Sequence, residues 1–490
     1  MKFDKNNNNI GKVCIMKQIK KILLVVPNFR WRGSDAITYW HFVPYNLCLI
    51  AAMIDKKYDI QIIDANFKNF TEEEFKQIIK KDPPDLVGIT VLMDQYGNTG
   101  HTVARIVKEV NPQIITVIGG VYATTNEEYV MSDNNIDYLI SGEGEYAFRD
   151  LIESIQNQKY PIPKGVWYKH GKCIINGGRT DLIEDLDILP LPAYHLIDFP
   201  AYSNLIERNS TDRPPAFPYA WLFTSRGCPL NCCFCQVRHI SSSKFRARSP
   251  NNILNELKWL KKTYNIKSFN IMDDNFLADR KRTIGILKGL IEEKLDLQWK
   301  MIATALFYLD YELLNLMKQS GCQYIDIAIE SGSPRVLKDI IHKPIEKEKV
   351  LEIIKWAKEL GIFITGNFIL GFPGETWDEI RQTLLFAEQI DLDYVKIFFA
   401  VPLPKTDLFK LAKELKCIDE NFDSKTIDWK HAIIQTDQFS RKDISVLRAY
   451  EWDRINFTNP EKRCKIAKIM EISEEELLSI RRKSLDSLII

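Results

Sequence analysis

Thr224-Ser225-Arg226-Gly227-Cys228-Pro229-Leu230-Asn231-Cys232-Cys233-Phe234-Cys235 puts four of the ten cysteines of this 490-residue chain within eight positions. The other six are scattered and read as isolated core residues. Cys228, Cys232 and Cys235 are spaced C-x3-C-x2-C, with Cys233 in a free position between ligands, a spectator. Zinc sites commonly take four ligands as two C-x2-C pairs, and no second pair lies downstream. Iron–sulfur clusters are held by thiolates. Three cysteines on one short loop leave one iron of a 4Fe-4S cluster open to the amino and carboxylate groups of a small molecule. Gly227 and Pro229 suit a tight loop wrapped on such a cluster. Buried thiols or a structural zinc knuckle are the other readings of the loop.

On either side of the loop the pattern is strand and helix in alternation. Strands are expected at Ala220–Thr224, Ser268–Met272, Gln298–Ala303, Tyr324–Ile329, Phe363–Leu370 and Tyr394–Ala400. Helices are expected between them, among them 253–263, 281–294, 311–319, 347–360 and 377–389. Six such units over residues 216–415 predict a partial (β/α)6 TIM-type barrel, with its chemistry at the C-terminal strand ends. The cysteine loop follows the first strand.

Residues 16–160 alternate in the same way, with strands expected at 21–26, 60–64, 86–90, 114–118 and 138–141. Near-continuous apolar strands predict a Rossmann-like, doubly wound parallel sheet. Ligands of such sheets sit outside the carboxyl ends of the strands. Those ends carry Asp64, Thr90, Gly119-Gly120 and Gly142-Glu143-Gly144. Residues 161–215 are Pro-rich and aperiodic and read as a linker over the surface. Residues 416–490 read as a small, charged, helical accessory domain with an aromatic group at Tyr450, Trp452 and Phe457. Residues 1–15 read as a flexible tail, with Met16 an alternative start to Met1.

Lys+Arg is 66 against Asp+Glu 65, a net charge of +1, which argues against a dedicated nucleic-acid or anionic-membrane surface. No apolar run reaches the roughly 20 residues that span a bilayer, and the polar N-terminus is not a signal peptide. A cytoplasmic protein is expected, where clustered cysteines serve metal binding or catalysis.

The triad, with Phe234 before its last cysteine, resembles the signature of the radical S-adenosylmethionine superfamily. Asp273-Asp274-Asn275-Phe276, Glu330-Ser331-Gly332-Ser333, Gly371-Phe372-Pro373-Gly374-Glu375-Thr376 and Pro402-Leu403-Pro404-Lys405-Thr406 stand at the matching strand ends. With Gly119-Gly120-Val121-Tyr122-Ala123-Thr124 and Gly142-Glu143-Gly144-Glu145, they are similar to the branch with an N-terminal cobalamin-binding domain. The resemblance covers about residues 20–410. It implies a 4Fe-4S cluster on Cys228, Cys232 and Cys235, and S-adenosylmethionine on the open iron. Phe234, Asp273, Asp274, Glu330, Ser331, Gly371 and Gly374 would lie around that ligand. In this reading Glu330 accepts from the ribose hydroxyls, and Gly371 and Gly374 let backbone approach the adenosine. A salt-bridged carboxylate, plain turns and a helix N-cap at one of the two aspartates are the other accounts of these positions. Lys405 stands where the family usually has glycine.

Cobalamin would lie against Asp64, Thr90, Met93, Gly119, Gly120, Gly142 and Glu143. The Asp-x-His-x-x-Gly motif of many cobalamin domains is missing from Leu92–Thr99, and His101 falls too far along, on the following helix. The lower cobalt face would then be open, watered, or shielded by Trp40, Met93 or Tyr96. A Rossmann-like sheet without its ligand is the plainer alternative. The resemblance implies a radical enzyme methylating an unactivated centre of a small molecule or natural-product intermediate, supplied with electrons by a donor such as flavodoxin or ferredoxin. A cobalamin-containing radical enzyme that catalyses cyclisation or oxidative rearrangement is the alternative. A zinc-bound interaction module is a third, from another class.

Overall fold

The computed structural model describes residues 18–33, 41–54, 56–157, 162–171, 173–205, 213–343 and 345–486. The expected tail at 1–15, the start at Met16 and Trp40 lie outside the described residues.

The first sheet is built from β1 (Lys21–Val26), β2 (Asp59–Asp64), β3 (Leu86–Thr90), β4 (Ile115–Gly119), β5 (Tyr138–Ile140), β6 (Val166–His170) and β7 (Cys173–Ile175). Its order is β2-β1-β3-β4-β5-β6-β7. The first five strands are parallel. β3 is buried at every residue and β1 at all but its first, as expected of a sheet covered on both faces. The cover comes from α1 (Tyr45–Ala52), α2 (Glu72–Lys81), α3 (Gly97–Val110), α4 (Val121–Thr125), α5 (Glu127–Ser132) and α6 (Gly144–Asn157). Strand order reverses direction at β1/β3, which opens a crevice at the C-terminal ends there.

The expected linker is more structured than its composition suggests. β6 and β7 extend the sheet antiparallel to β5. Val166 and Trp167 are buried, because an uncovered β5 edge would leave backbone groups unpaired. Farther on, α7 (Phe199–Ser203) and the preceding turn bury Tyr194, Phe199 and Tyr202 in the core of the second unit.

That unit begins with β8 (Tyr219–Leu222), β9 (Ser225–Arg226), α8 (Val237–Ile240), β10 (Arg246–Ala247) and α9 (Pro250–Tyr264). It continues through β11 (Ser268–Ile271), α10 (Arg280–Glu292), β12 (Gln298–Thr304), α11 (Tyr311–Gln319) and β13 (Cys322–Glu330). α12 (Lys347–Glu359), β14 (Phe363–Leu370), α13 (Trp377–Gln389), β15 (Tyr394–Phe399) and α14 (Asp407–Glu414) complete it. Six parallel strands run in the order β15-β14-β13-β12-β11-β8, an open barrel. Phe269, Trp299, Ile325, Ile364 and Val395, all on one face, are almost wholly buried in the apolar core that the helices cover.

The C-terminal region holds α15 (Arg441–Phe457), α16 (Pro460–Met470) and α17 (Glu474–Asp486). It does not stand apart as an accessory unit. Asn456 is wholly buried; its Oδ1 accepts from Val395 N and its Nδ2 donates to Val395 O, both at 2.8 Å. One side chain thus imitates a ladder partner for the edge strand β15. Trp452 Nε1 donates to Tyr394 Oη at 2.9 Å, and Phe457 sits in the small core between the last helices. Tyr450, expected in the same aromatic group, is 62 % exposed.

Candidate active site between the two sheets

The short β9–β10 ladder pins the base of the cysteine loop. Gly227 has φ +84°, and a Cβ there would fall 2.3 Å from the Lys244 carbonyl oxygen, so only glycine fits. Asp273 Oδ1 accepts from Thr224 N at 2.6 Å, and its Oδ2 accepts from the Thr224 hydroxyl and from Ser225 Oγ. Asp274 Oδ2 accepts from Gly227 N at 2.8 Å. Neither aspartate caps a helix: Asp279 is the N-cap of α10, where its carboxylate accepts from Arg282 N. Asp273 is spent on the strand end, whereas Asp274 also lines the cavity described below.

Cys228 is buried, Cys232 and Cys235 are half-buried, and none is in a disulfide. Asn275 Nδ2 donates to Cys228 Sγ at 3.5 Å. Cys233 is turned into the apolar core, with its N–H on Ile341 O and its carbonyl accepting from Leu408 N. Burial pushes the Cys232 thiol up to about 12 and the Cys235 thiol up to about 11. Bare, these groups are neutral thiols, and a bound metal is what makes them thiolates. Among the described residues no three His, Cys, Asp or Glu side chains converge tightly enough to hold a single ion. A cubane asks for a different arrangement, one thiolate on each of three irons, and three thiols on a preformed loop at the end of a barrel strand fit it.

Glu330 ends β13 with φ +73°, a backbone region that costs a residue bearing a Cβ about 1–2 kcal/mol. Its Oε1 accepts from Lys343 Nζ at 2.9 Å, and both side chains are buried. Lys343 also donates to Ala328 O. Both charges act on Cys232, so strain and ion pair meet beside the loop. Phe234 packs with Phe372, ring centroids 6.3 Å apart.

Ser331, Gly371 and Gly374 are placed differently. Ser331 Oγ bonds Thr383 on α13, locking the turn against that helix. Gly371 and Gly374 have φ +87° and +78°. Glu375 Oε2 accepts from Gly371 N and Phe372 N, and Gly374 borders a separate surface hollow with Asp419 and Arg441. Positive φ in a turn stapled by the Glu375 side chain explains these glycines without a ligand.

A cavity of about 440 Å³ lies between the C-terminal ends of the two sheets. Thr90, Met93, Gly119, Gly120, Gly142 and Glu143 line it from the first sheet. Trp221, Phe223, Arg226, Ser241, Met272 and Asp274 line it from the barrel side. Gly120 has φ +93°, and a Cβ would fall 2.6 Å from Val91 O; at Gly119 a Cβ meets nothing closer than 3.9 Å, an ordinary contact with Ile140 O. Leu24, Gly88 and Phe148 also line the cradle. It is apolar, with few polar groups, as sites for large cofactors are.

Glu143 lines the cavity but its carboxylate is already engaged. It pairs with Arg246 at 2.7 Å and Arg226 at 3.4 Å and accepts from Ile183 N. Burial favours the neutral acid, yet the two arginines outweigh it and hold the carboxyl below its usual value. Asp64 is not at the cavity. It accepts from Tyr202 Oη at 2.9 Å and Phe67 N at 2.8 Å, and burial pushes it up to about 6. The former linker claims it.

Of the candidate shields, Met93 lines the cavity. Tyr96 stacks on Phe29 at 4.1 Å, inside the sheet's core. His101 is held by Asp133 and Tyr122 and does not line the cavity. The residues present fit a cobalamin bound without a protein imidazole: an apolar cradle, two small glycines at its rim and Met93 in its lining.

Sequence reasoning missed the residues that join the halves. Arg226 reaches Glu145 and Glu143, and Gln236 Nε2 donates to Asp94 Oδ2 at 2.9 Å. Tyr45 stacks on Phe223 at 4.3 Å. Within the first sheet's unit, and likewise missed, Asn46 Nδ2 donates to Thr90 Oγ1 at 2.7 Å. Asn46 alone carried a signal, an amide in an otherwise apolar helix.

Comparison with known proteins agrees with this geometry. Residues 222–387 match the radical SAM superfamily and residues 39–152 the B12 binding domain. An uncharacterised methyltransferase of Pyrococcus horikoshii is 32 % identical over 397 residues, which is 81 % of this chain and 83 % of that protein. The cytidylyl-2-hydroxyethylphosphonate methyltransferase of Streptomyces wedmorensis is 28 % identical over 455 residues, 83 % of each chain. The cobalamin-dependent S-adenosylmethionine radical enzyme OxsB, with aqua-cobalamin bound, shares the fold at TM-score 0.70 and 17 % identity, over 96 % of this chain and 72 % of that one. The cofactors are therefore a 4Fe-4S cluster, S-adenosylmethionine and cobalamin, and this chain belongs to the radical S-adenosylmethionine superfamily, in the branch that carries a B12-binding domain ahead of the radical domain.

Proposed function

We propose that this protein methylates an unactivated carbon of a small molecule at the junction of its two sheets. The observation that carries the reading is the shared cavity, lined from one side by the glycine rim of the B12-binding sheet and from the other by Asp274 and Met272 at the barrel mouth. Held by the cysteine loop, a cluster with S-adenosylmethionine would supply a carbon-centred oxidant by reductive cleavage, and cobalamin in the cavity would supply the methyl group.

The chain's residues do the rest. Cys228, Cys232 and Cys235 would hold the cluster, and Asn275 steadies the first thiolate by its hydrogen bond. The buried Lys343–Glu330 pair fixes the strand end beside the loop, where Glu330 is the candidate acceptor for a ribose. Asp274 orients the loop through Gly227 N. Arg226, Arg246, Glu143 and Glu145 tie the two halves together at the cavity rim and keep bulk water from the gap, which reactive intermediates require. An external one-electron donor such as flavodoxin or ferredoxin would reduce the cluster. Among the described residues no helix is long and apolar enough to cross a membrane, and we place the protein in the cytoplasm.

The test is anaerobic reconstitution with iron, sulfide and cobalamin, then turnover with S-adenosylmethionine labelled in its methyl group. Labelled product with two S-adenosylmethionines consumed per turnover is expected. Altered but unlabelled substrate would replace methyl transfer by a rearrangement, and failure to take up cobalamin would overturn the reading.

A further inference from the structure

Three consecutive residues after β11 meet three successive points of the cysteine loop. Asp273 accepts from Thr224 and Ser225, Asp274 accepts from Gly227 N, and Asn275 Nδ2 donates to Cys228 Sγ at 3.5 Å. The first two points offer N–H and O–H groups, and each is answered by a carboxylate, which only accepts when ionised. The third offers a sulfur that becomes a thiolate when metal binds. There the run changes from carboxylate to amide, whose nitrogen donates. Asn275 also lacks the structural role usual for an asparagine at such a place. It is the N-cap of the turn Phe276–Ala278, yet its side chain makes no capping hydrogen bond. It is 6 % exposed, and its amide is hydrogen-bonded to the Tyr308 hydroxyl as well. Val237 N donates to the Cys235 sulfur, a bond that the local turn enforces from two residues away. The Cys228 bond spans 47 residues and depends on one side chain.

We propose that Asn275 sets the reduction potential of the cluster, raising it through an N–H···S bond to Cys228. Hydrogen bonds to the sulfurs are among the influences that fix the potential of an iron–sulfur cluster. The step concerned is the gain of one electron by the cluster from the external donor, with no covalent bond made or broken. That electron adds negative charge, so an N–H aimed at sulfur favours the reduced state, the more so in a buried setting. Asn275 acts through the Cys228 sulfur and is a positioning residue. The inference rests on the cysteine triad as the cluster's ligands, and it holds whether the substrate is methylated or rearranged.

The test is a redox titration of the anaerobically reconstituted holoenzyme, followed by the EPR signal of the reduced cluster. Asn275→Leu, close in size but without an N–H, should lower the ratio of reduced to oxidised cluster at a fixed potential by about tenfold, a midpoint shift of about 59 mV for one electron. Asn275→Asp, which also adds a negative charge, should lower it further, and Asn275→Gln, which keeps a donor, should lower it less. A ratio that rises, or that changes by less than about twofold in Asn275→Leu, would overturn the proposal. A second readout needs no substitution at this position. Asn231, inside the loop, bonds Arg238, and Asn231→Ala removes it as a source of signal. In that variant, grown with asparagine labelled in heavy nitrogen, pulsed EPR of the reduced cluster should show a weak coupling to the label. A spectrum without that coupling would overturn the proposal even where Asn275→Leu takes up no iron. Wild-type protein that assembles no cubane would sink the triad as ligands, and this inference with it; a normal cubane with an unmoved midpoint sinks this inference alone.

Discussion

Lys405 Nζ lies 2.7 Å from Glu127 Oε2 and donates a second hydrogen bond, of 2.8 Å, to the Thr124 carbonyl. Its backbone has φ +67°, a region that glycine enters without penalty and a residue with a Cβ does not. The position where the resembled family usually has glycine is here a lysine that crosses from barrel to B12-binding sheet, next to the cavity residue Thr124.

Lys405→Gly should therefore separate two effects. Relief of the left-handed backbone and loss of a partly exposed ion pair nearly offset, leaving overall stability within about 1 kcal/mol. One of the ion pairs that clamp the two domains, however, is gone. Cobalamin retained through gel filtration should fall several-fold, more so in high salt for the wild type than for the variant. Unchanged retention would show that the cavity closes without the clamp.

The cysteines differ in what they face. Cys232→Ala should abolish iron–sulfur absorbance in anaerobically reconstituted protein. Cys233→Ala, which removes one sulfur from the apolar core, should keep that absorbance at a stability cost of order 1 kcal/mol. Equal loss from both would mean that Cys233 is a ligand.

Adjacent glycines at the cavity rim give opposite expectations. Gly120→Ala drives a Cβ to 2.6 Å from Val91 O at φ +93°, and should destabilise the first sheet by about 2 kcal/mol or more. Gly119→Ala leaves the fold intact, because its Cβ comes no closer than 3.9 Å to its neighbours, but occupies the rim of the cradle. Thermal melting should separate the first from wild type, and cobalamin uptake the second.

Glu375 is wholly enclosed, and burial pushes its carboxyl up to about 8, only partly countered by the N–H groups of Phe372 and Gly371. A folded value above the ordinary 4.5 means that its contribution is fully present below that value and lost as pH rises through about 8. Between about pH 6 and about pH 9 the wild type should lose melting temperature relative to Glu375→Gln, which cannot ionise. Parallel profiles would show a carboxylate charged throughout.

The alternation of apolar strands with amphipathic helices fixed both sheets in the reading of the chain, because a parallel strand covered on two faces leaves a run such as Leu86–Thr90 that has no other comfortable conformation. The triad was legible for a similar reason: three thiols within eight residues must share a neighbourhood whatever the fold. The antiparallel β6 and β7 were not legible, since their strand character depends on the β5 edge they cover. Nor was the docking of α15, which Asn456 secures through the Val395 backbone.

Local sequence thus determined the chemistry that short-range geometry enforces: the cysteine loop, the strand ends and the glycines at tight turns. Tertiary structure alone decided the employment of the charged residues. Asp64 went to Tyr202, Glu143 to two arginines, Asp273 to the strand before the loop, and Lys405 to the opposite sheet. A carboxylate accepts from whichever donor the fold brings within about 3 Å, and pairs that lie 48 to 278 residues apart leave no spacing in the chain from which that partner can be read.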